Sequence, residues 1–181
     1  MTREEVWTLV REMVGNRNLQ KHMLATEACL RALAVRLGGD EERWGLAGLV
    51  HDLDYEQTAK DPARHGLVAG ELLAERGVGE DIVNAVKAHA DNAPVVSELD
   101  KALFAVDPLT GLIVAAALMH PDRKLAGLST EFVLRRFQER RFAAGANREQ
   151  IETCSRLGMS LEEFVTACLD AMKGIAPELG L

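Results

Sequence analysis

Apolar positions along this chain recur at three- and four-residue intervals, and no stretch alternates apolar with polar long enough to predict a strand. The first helix is expected from Thr2 to Met13, with Val6, Leu9, Val10 and Met13 as its stripe, ended by Gly15 and Asn16. Asn18 should cap a longer helix carrying Met23, Leu30, Leu33, Ala34 and Leu37, with His22 in its first turn, closed by Gly38 and Gly39. Asp40 should cap the next, which holds Trp44, Leu46, Leu49 and Val50 and runs up to His51 and Asp52. Tyr55 to Lys60 reads as a polar loop. Asp61 followed by Pro62 then predicts a helix start, with His65 one turn in and the helix running to Gly77.

A shorter helix is expected over Glu80 to Ala90, with Ile82, Val83 and Val86 inward and His89 near its end. Ser97 opens a segment with Leu99, Leu103 and Phe104, which Pro108 should kink or restart just after Asp107. Leu112 to Leu118 is apolar all round and is expected to be buried all round. Three more helices follow, Thr130 to Arg140, Arg148 to Leu157 and Leu161 to Ile175. Asn147 with Gln150, and Ser160 with Glu163, form capping-box pairs for the last two. The pattern predicts one all-α domain over residues 1–181, with no repeat, linker or internal boundary.

Composition narrows the class. The chain is 48% hydrophobic and 27% charged, enough for a core in a soluble protein, with aromatics at only 4%. A formal charge of −7 argues against a general nucleic-acid or membrane-surface binder. Met1 to Glu5 reads as a polar helix start rather than a leader, and the apolar run from Leu109 to Met119 is shorter than the ~20 residues that span a bilayer. Cys29, Cys154 and Cys168 are odd in number and widely spaced, which predicts reduced core thiols and a cytoplasmic location.

The candidate chemistry centres on His51 and Asp52 in the stretch Leu49-Val50-His51-Asp52-Leu53-Asp54. Neighbours on a helix point about 100° apart, so this pair can share an ion only at a helix end or distorted turn, which is where Asp54 and Tyr55 put it. The chain has five histidines, and His22, His65 and His89 fall on different predicted helices. Asp107 lies in an apolar segment, where an unpaired carboxylate is costly to bury. Taken singly, each has a structural reading: a boundary histidine at His22, satisfied histidines at His65 and His89, an N-cap at Asp107. Their joint order carries the argument.

That order resembles the HD-domain superfamily of metal-dependent phosphohydrolases, from Lys21-His22-Met23 through Val50-His51-Asp52-Leu53-Asp54-Tyr55, Arg64-His65-Gly66 and Lys87-Ala88-His89-Ala90 to Ala105-Val106-Asp107. The chain departs from the commonest variant in having Leu53 and Asp54 after the pair instead of Ile-Gly. The resemblance implies a single HD domain, with a metal-site core at about 18–120 and accessory helices at about 129–176. It implies that His22, His51, Asp52 and Asp107 hold one metal, and that His65 and His89 hold a second bridged by Asp52. The expected cofactor is a divalent transition metal, two ions of manganese, iron, cobalt, nickel or zinc, since mixed imidazole and carboxylate donors suit these. Two such ions roughly 3.5–4 Å apart can supply hydroxide near neutral pH and neutralise phosphoryl charge.

The function expected is therefore hydrolysis of a small phosphomonoester or phosphodiester, a nucleotide above all, through metal-bound hydroxide. Asp54 is a candidate to orient water or protonate the leaving group, and Lys87 to face the phosphate. The same ligand set is used by di-iron oxygenases among relatives of the superfamily, and a non-catalytic metal- or nucleotide-binding regulatory module is the remaining alternative. One segment departs from the acidic whole. Residues 123–148 hold seven cations (Arg123, Lys124, Arg135, Arg136, Arg140, Arg141, Arg148) and two acids, a net of +5 that leaves −12 elsewhere. Arg140, Arg141 and Arg148 are candidates to clamp a substrate phosphate; the competing expectation is a solvated face. His120 fits no motif and is read as structural.

Overall fold

The computed structural model describes all residues from Met1 to Leu181. Its elements are all helical: α1 (Arg3–Met13), α2 (Arg17–Leu37), α3 (Glu41–Val50), α4 (Tyr55–Thr58), α5 (Leu67–Glu75), α6 (Glu80–His89), α7 (Glu98–Met119), α8 (Thr130–Gln138), α9 (Arg148–Glu152), α10 (Leu161–Gly174) and α11 (Ala176–Leu179). The all-α class expected from periodicity holds. A contiguous core of 46 buried residues runs from Val6 to Leu179. Most helix starts follow from side chains that satisfy the free N–H groups of the first turn. Thr2, Ser97 and Ser160 head complete capping boxes, while Asp40 and Ser129 accept from one backbone N–H each.

Several boundaries differ from the sequence reading, each for a local reason. The cap of α2 is Asn16, whose Oδ1 accepts from the N–H groups of Asn18 and Leu19, so His22 lies in the second turn. The loop expected at Tyr55 to Lys60 contains the short α4. Asp61 makes no capping bond, and Pro62–Arg64 forms one 3₁₀ turn instead of a helix start. His65 is extended rather than helical, and α5 begins only after Gly66, which sits at φ +74°. A Cβ on Gly66 would lie 2.6 Å from the carbonyl oxygen of Val86, so glycine at this position lets the start of α5 close onto α6.

Pro108 neither kinks nor restarts its helix. It lies inside a continuous α7, and the carbonyl its missing N–H leaves free, that of Phe104, accepts instead from the side-chain amide of Gln150 at 2.8 Å. That commitment explains why Gln150 does not complete the box with Asn147, which still accepts from the Gln150 N–H. The uninterrupted α7 is long and apolar enough to cross a membrane by length and composition. Here it is the central helix, with twelve buried residues from Leu99 to Ala117. Its last turn is not buried all round, since Leu118 and Met119 are exposed.

Candidate metal centre

Three helices and two turns bring the predicted histidines and aspartates together. α2 and α3 approach backbone to backbone: a Cβ on Gly48 would lie 2.7 Å from the Glu27 nitrogen. That approach sets His22, on α2, against His51, in the turn that ends α3, with their Nε2 atoms 3.1 Å apart. The close approach at Gly66 does the same for His65 and His89, whose Nε2 atoms are also 3.1 Å apart. Asp52 stands between the two pairs. Its Oδ2 faces His22 (3.6 Å) and His51 (3.5 Å), and its Oδ1 faces His65 (3.2 Å) and His89 (3.5 Å). Asp107, from α7, places Oδ1 3.0 Å from His22 and 3.7 Å from His51.

The outer nitrogen of each ring has its own acceptor. Nδ1 of His51 donates to the Gly48 carbonyl at 2.8 Å, and Nδ1 of His89 to the Val86 carbonyl. Nδ1 of His65 donates to Asp54 Oδ1 at 2.8 Å. The Thr110 hydroxyl donates to the Asp107 carbonyl, so its oxygen accepts from His22 Nδ1 at 2.9 Å. With all four Nδ1 atoms protonated outward, all four Nε2 lone pairs point inward at two carboxylates. A cluster of acceptors with no donor requires cations. Donor atoms ~2.1 Å from an ion lie roughly 3.0–3.4 Å apart, close to the spacings found here. The triads His22/His51/Asp107 and His51/Asp52/His89 each have their donor atoms within 4.8 Å. The donor set fits one or two divalent ions.

Without metal the cations are protons, and one nitrogen of each Nε2 pair must carry one. Burial by itself lowers the His51 pKa, but Asp52 and Asp107 beside it carry it up to about 9. For His65, burial is likewise outweighed by Asp52 and Asp54, and the pKa rises to about 10. Burial pushes Asp52 and Asp107 upward, yet the surrounding imidazoles hold both well below the usual carboxylate range.

The remaining candidates lie elsewhere. Asp54 is fully buried behind His65: one oxygen accepts from the ring and the other from the Ala69 N–H at 2.8 Å. It orients His65 and does not reach the cleft. The Lys87 stem lies over Gly70, where a Cβ would run into its Cε, and Lys87 is not among the cleft residues. Arg148 commits its guanidinium to the carbonyls of Phe137, Glu139, Phe142, Ala143 and Ala146, which folds the α8–α9 loop around it. Arg140 and Arg141 are exposed, and no residue of 123–148 lines the cleft. His120 packs edge-on to Phe132, away from the cluster.

The cleft over the cluster has a volume of about 640 Å³; its wall includes Asn16, Asn18, Tyr55 and Glu56. Tyr55 is half-exposed and stands edge-on to His65. Glu56 accepts from the N–H groups of Gly15 (2.7 Å) and Asn16 (3.2 Å), tying α4 to the start of α2. Sequence reasoning missed Thr110, although its position three residues after Asp107 puts both on one face of α7.

The family model of the HD domain matches residues 19–112, just over half of the chain and all six clustered residues. This chain belongs to the HD-domain family. The chain is also similar to the ribonuclease Y of Oleidesulfovibrio alaskensis, 29% identical over 96 residues. Those of Nitratidesulfovibrio vulgaris (28% over 96) and Desulfotalea psychrophila (30% over 94) are similar to it as well. Each alignment covers 52–53% of this chain but 18% of the relative, so the chain spans under a fifth of the length of these relatives. No solved structure matches significantly.

Proposed function

We propose that this HD domain is a metal-dependent phosphohydrolase for small phosphate esters, a nucleotide being the best-suited substrate. The observation that carries it is the inward convergence of four imidazole lone pairs on two carboxylates, with every ring oriented from behind. In this reading His22, His51, Asp52 and Asp107 would hold one ion and His65 and His89 a second, with Asp52 shared between them. Ions of manganese, iron, cobalt, nickel or zinc there would supply Lewis acidity, lowering the pKa of water and neutralising charge on the phosphoryl oxygens.

The residues of the chain do the rest. Gly48, Val86, Asp54 and Thr110 fix the tautomers, so no ring has to reorient when substrate arrives. Asp52 and Asp107 offset the ionic charge and stay ionised. The cleft wall contains no serine, threonine, cysteine or lysine, which supports water as the attacking group in this reading. The three buried, unpaired cysteines suit a reducing, cytoplasmic setting.

RNA is the second reading, because the similar proteins are named ribonucleases. Binding a polyanion relies on rows of lysine and arginine along the groove, and none lines this cleft. Small esters are therefore favoured. The deciding experiment strips the protein with chelator and restores manganese, cobalt, nickel or magnesium. It then measures phosphate release from nucleoside monophosphates alongside cleavage of a short RNA. Transition-metal-dependent release from monophosphates supports the proposal; RNA cleavage alone would replace it, and no turnover with any metal would end it.

A further inference from the structure

A second recess, of about 390 Å³, opens beside the metal cleft and shares Asn18 and His22 with it. Its other walls are Lys21, Gly111, Val114, Leu118, Leu179, Gly180 and Leu181. The volume is within the range of small-molecule sites. It is more apolar than the cleft: Val114, Leu118, Leu179 and Leu181 give it aliphatic side chains beside the polar Asn18, Lys21 and His22, and Leu118 is exposed there instead of packing inward. Gly111 lies inside α7, where glycine is disfavoured, yet its backbone is helical and a Cβ would meet nothing within 4 Å. Neither a turn nor a close approach requires it. A larger side chain at this position would project into open space at the wall of the recess.

We propose that this recess is the subsite for the organic group of the substrate. The phosphoryl group lies at the His/Asp cluster, and the esterified aromatic or aliphatic group packs against Val114, Leu118 and Leu179. Lys21, the one lysine or arginine lining either chamber, adds positive charge that draws an anionic ester toward His22. The proposal rests on the phosphohydrolase reading of the cluster. It goes further in assigning substrate choice to α7 and the C-terminal residues, not to the basic segment.

The test uses two readouts. In the metal-loaded protein, the efficiency of benzyl phosphate hydrolysis relative to methyl phosphate should be at least tenfold in favour of benzyl, and Gly111→Leu should collapse that ratio. Independently of turnover, benzylphosphonate should shift the methyl NMR signals of Val114, Leu118 and Leu179, and Gly111→Leu should abolish those shifts. Methyl shifts without hydrolysis of either ester would keep the subsite and remove the hydrolase reading. Hydrolysis with no benzyl preference, or no methyl shifts in the wild-type protein, would overturn the subsite. Gly111→Ala, which adds one methyl to a helix interior, should fold at least as well as the parent and checks that any loss is not unfolding.

Discussion

The histidine cluster and the basic segment from Arg123 to Arg148 both gather polar side chains, and the fold treats them in opposite ways. In the cluster, backbone and buried partners occupy the outer atom of each ring, and the inner atom is left for a ligand. In the basic segment Arg148, half-buried, has all its donors turned onto the carbonyls of its own loop. Arg136 pairs with Glu139 at 3.0 Å, and Arg135 and Arg136 stack near Phe132. A concentration of charge in sequence is thus no guide to where that charge points. A side chain is available for chemistry when its supports lie behind it.

The contrast can be broken by substitution. The largest effect is expected for Asp52→Ala, which removes the one carboxylate facing both histidine pairs. Turnover should vanish and bound metal should fall to background by elemental analysis; retained turnover would refute the bridge. Asp54→Asn comes next. Both oxygens of Asp54 are used, and an amide keeps only one acceptor, so either His65 or the Ala69 N–H loses its partner. Titration with cobalt should show metal affinity lowered by about 10–100-fold in a protein that still folds.

Acidity sharpens the same comparison in metal-free protein. His51 and His65 have pKa values raised from the ordinary 6.5 to about 9 and about 10. The stability they contribute is complete below 6.5 and is lost as pH rises through those values. Asp52 and Asp107 are lowered, so theirs is complete above 3.8 and is lost in acid. Denaturant midpoints of chelated protein should therefore be highest between about pH 4 and 6.5, with a decline toward pH 10 that bound metal suppresses. An equal decline with and without metal would contradict the assignment.

The smallest effects belong to the arginines. Arg148→Gln should cost about 1.5–3 kcal/mol of stability, as expected for lost charge-assisted bonds, with catalytic efficiency unchanged. Arg140→Gln and Arg141→Gln should shift stability by less than about 0.5 kcal/mol and leave the kinetics within error. A tenfold loss of efficiency in any of the three would return the phosphate clamp to the basic segment.

What could be read in the sequence follows the same division. The histidines and aspartates were legible because their joint order is rare, and the helices because periodicity and caps are local signals. The misses are those that depend on distant partners. Pro108 stays within α7 because Gln150, on α9, fills the vacated bond. His65 leaves the helix because Gly66 turns the chain against Val86. Asp54 looked catalytic beside Asp52, but the fold turns it away to support His65.

Metal stoichiometry tests the central claim most directly. Protein reconstituted with manganese or cobalt, freed of excess ion and analysed by mass spectrometry should hold two ions per chain. His65→Ala and His89→Ala should each hold one. A single ion in the wild-type protein, or unchanged content in both variants, would contradict a site in which Asp52 joins two ions.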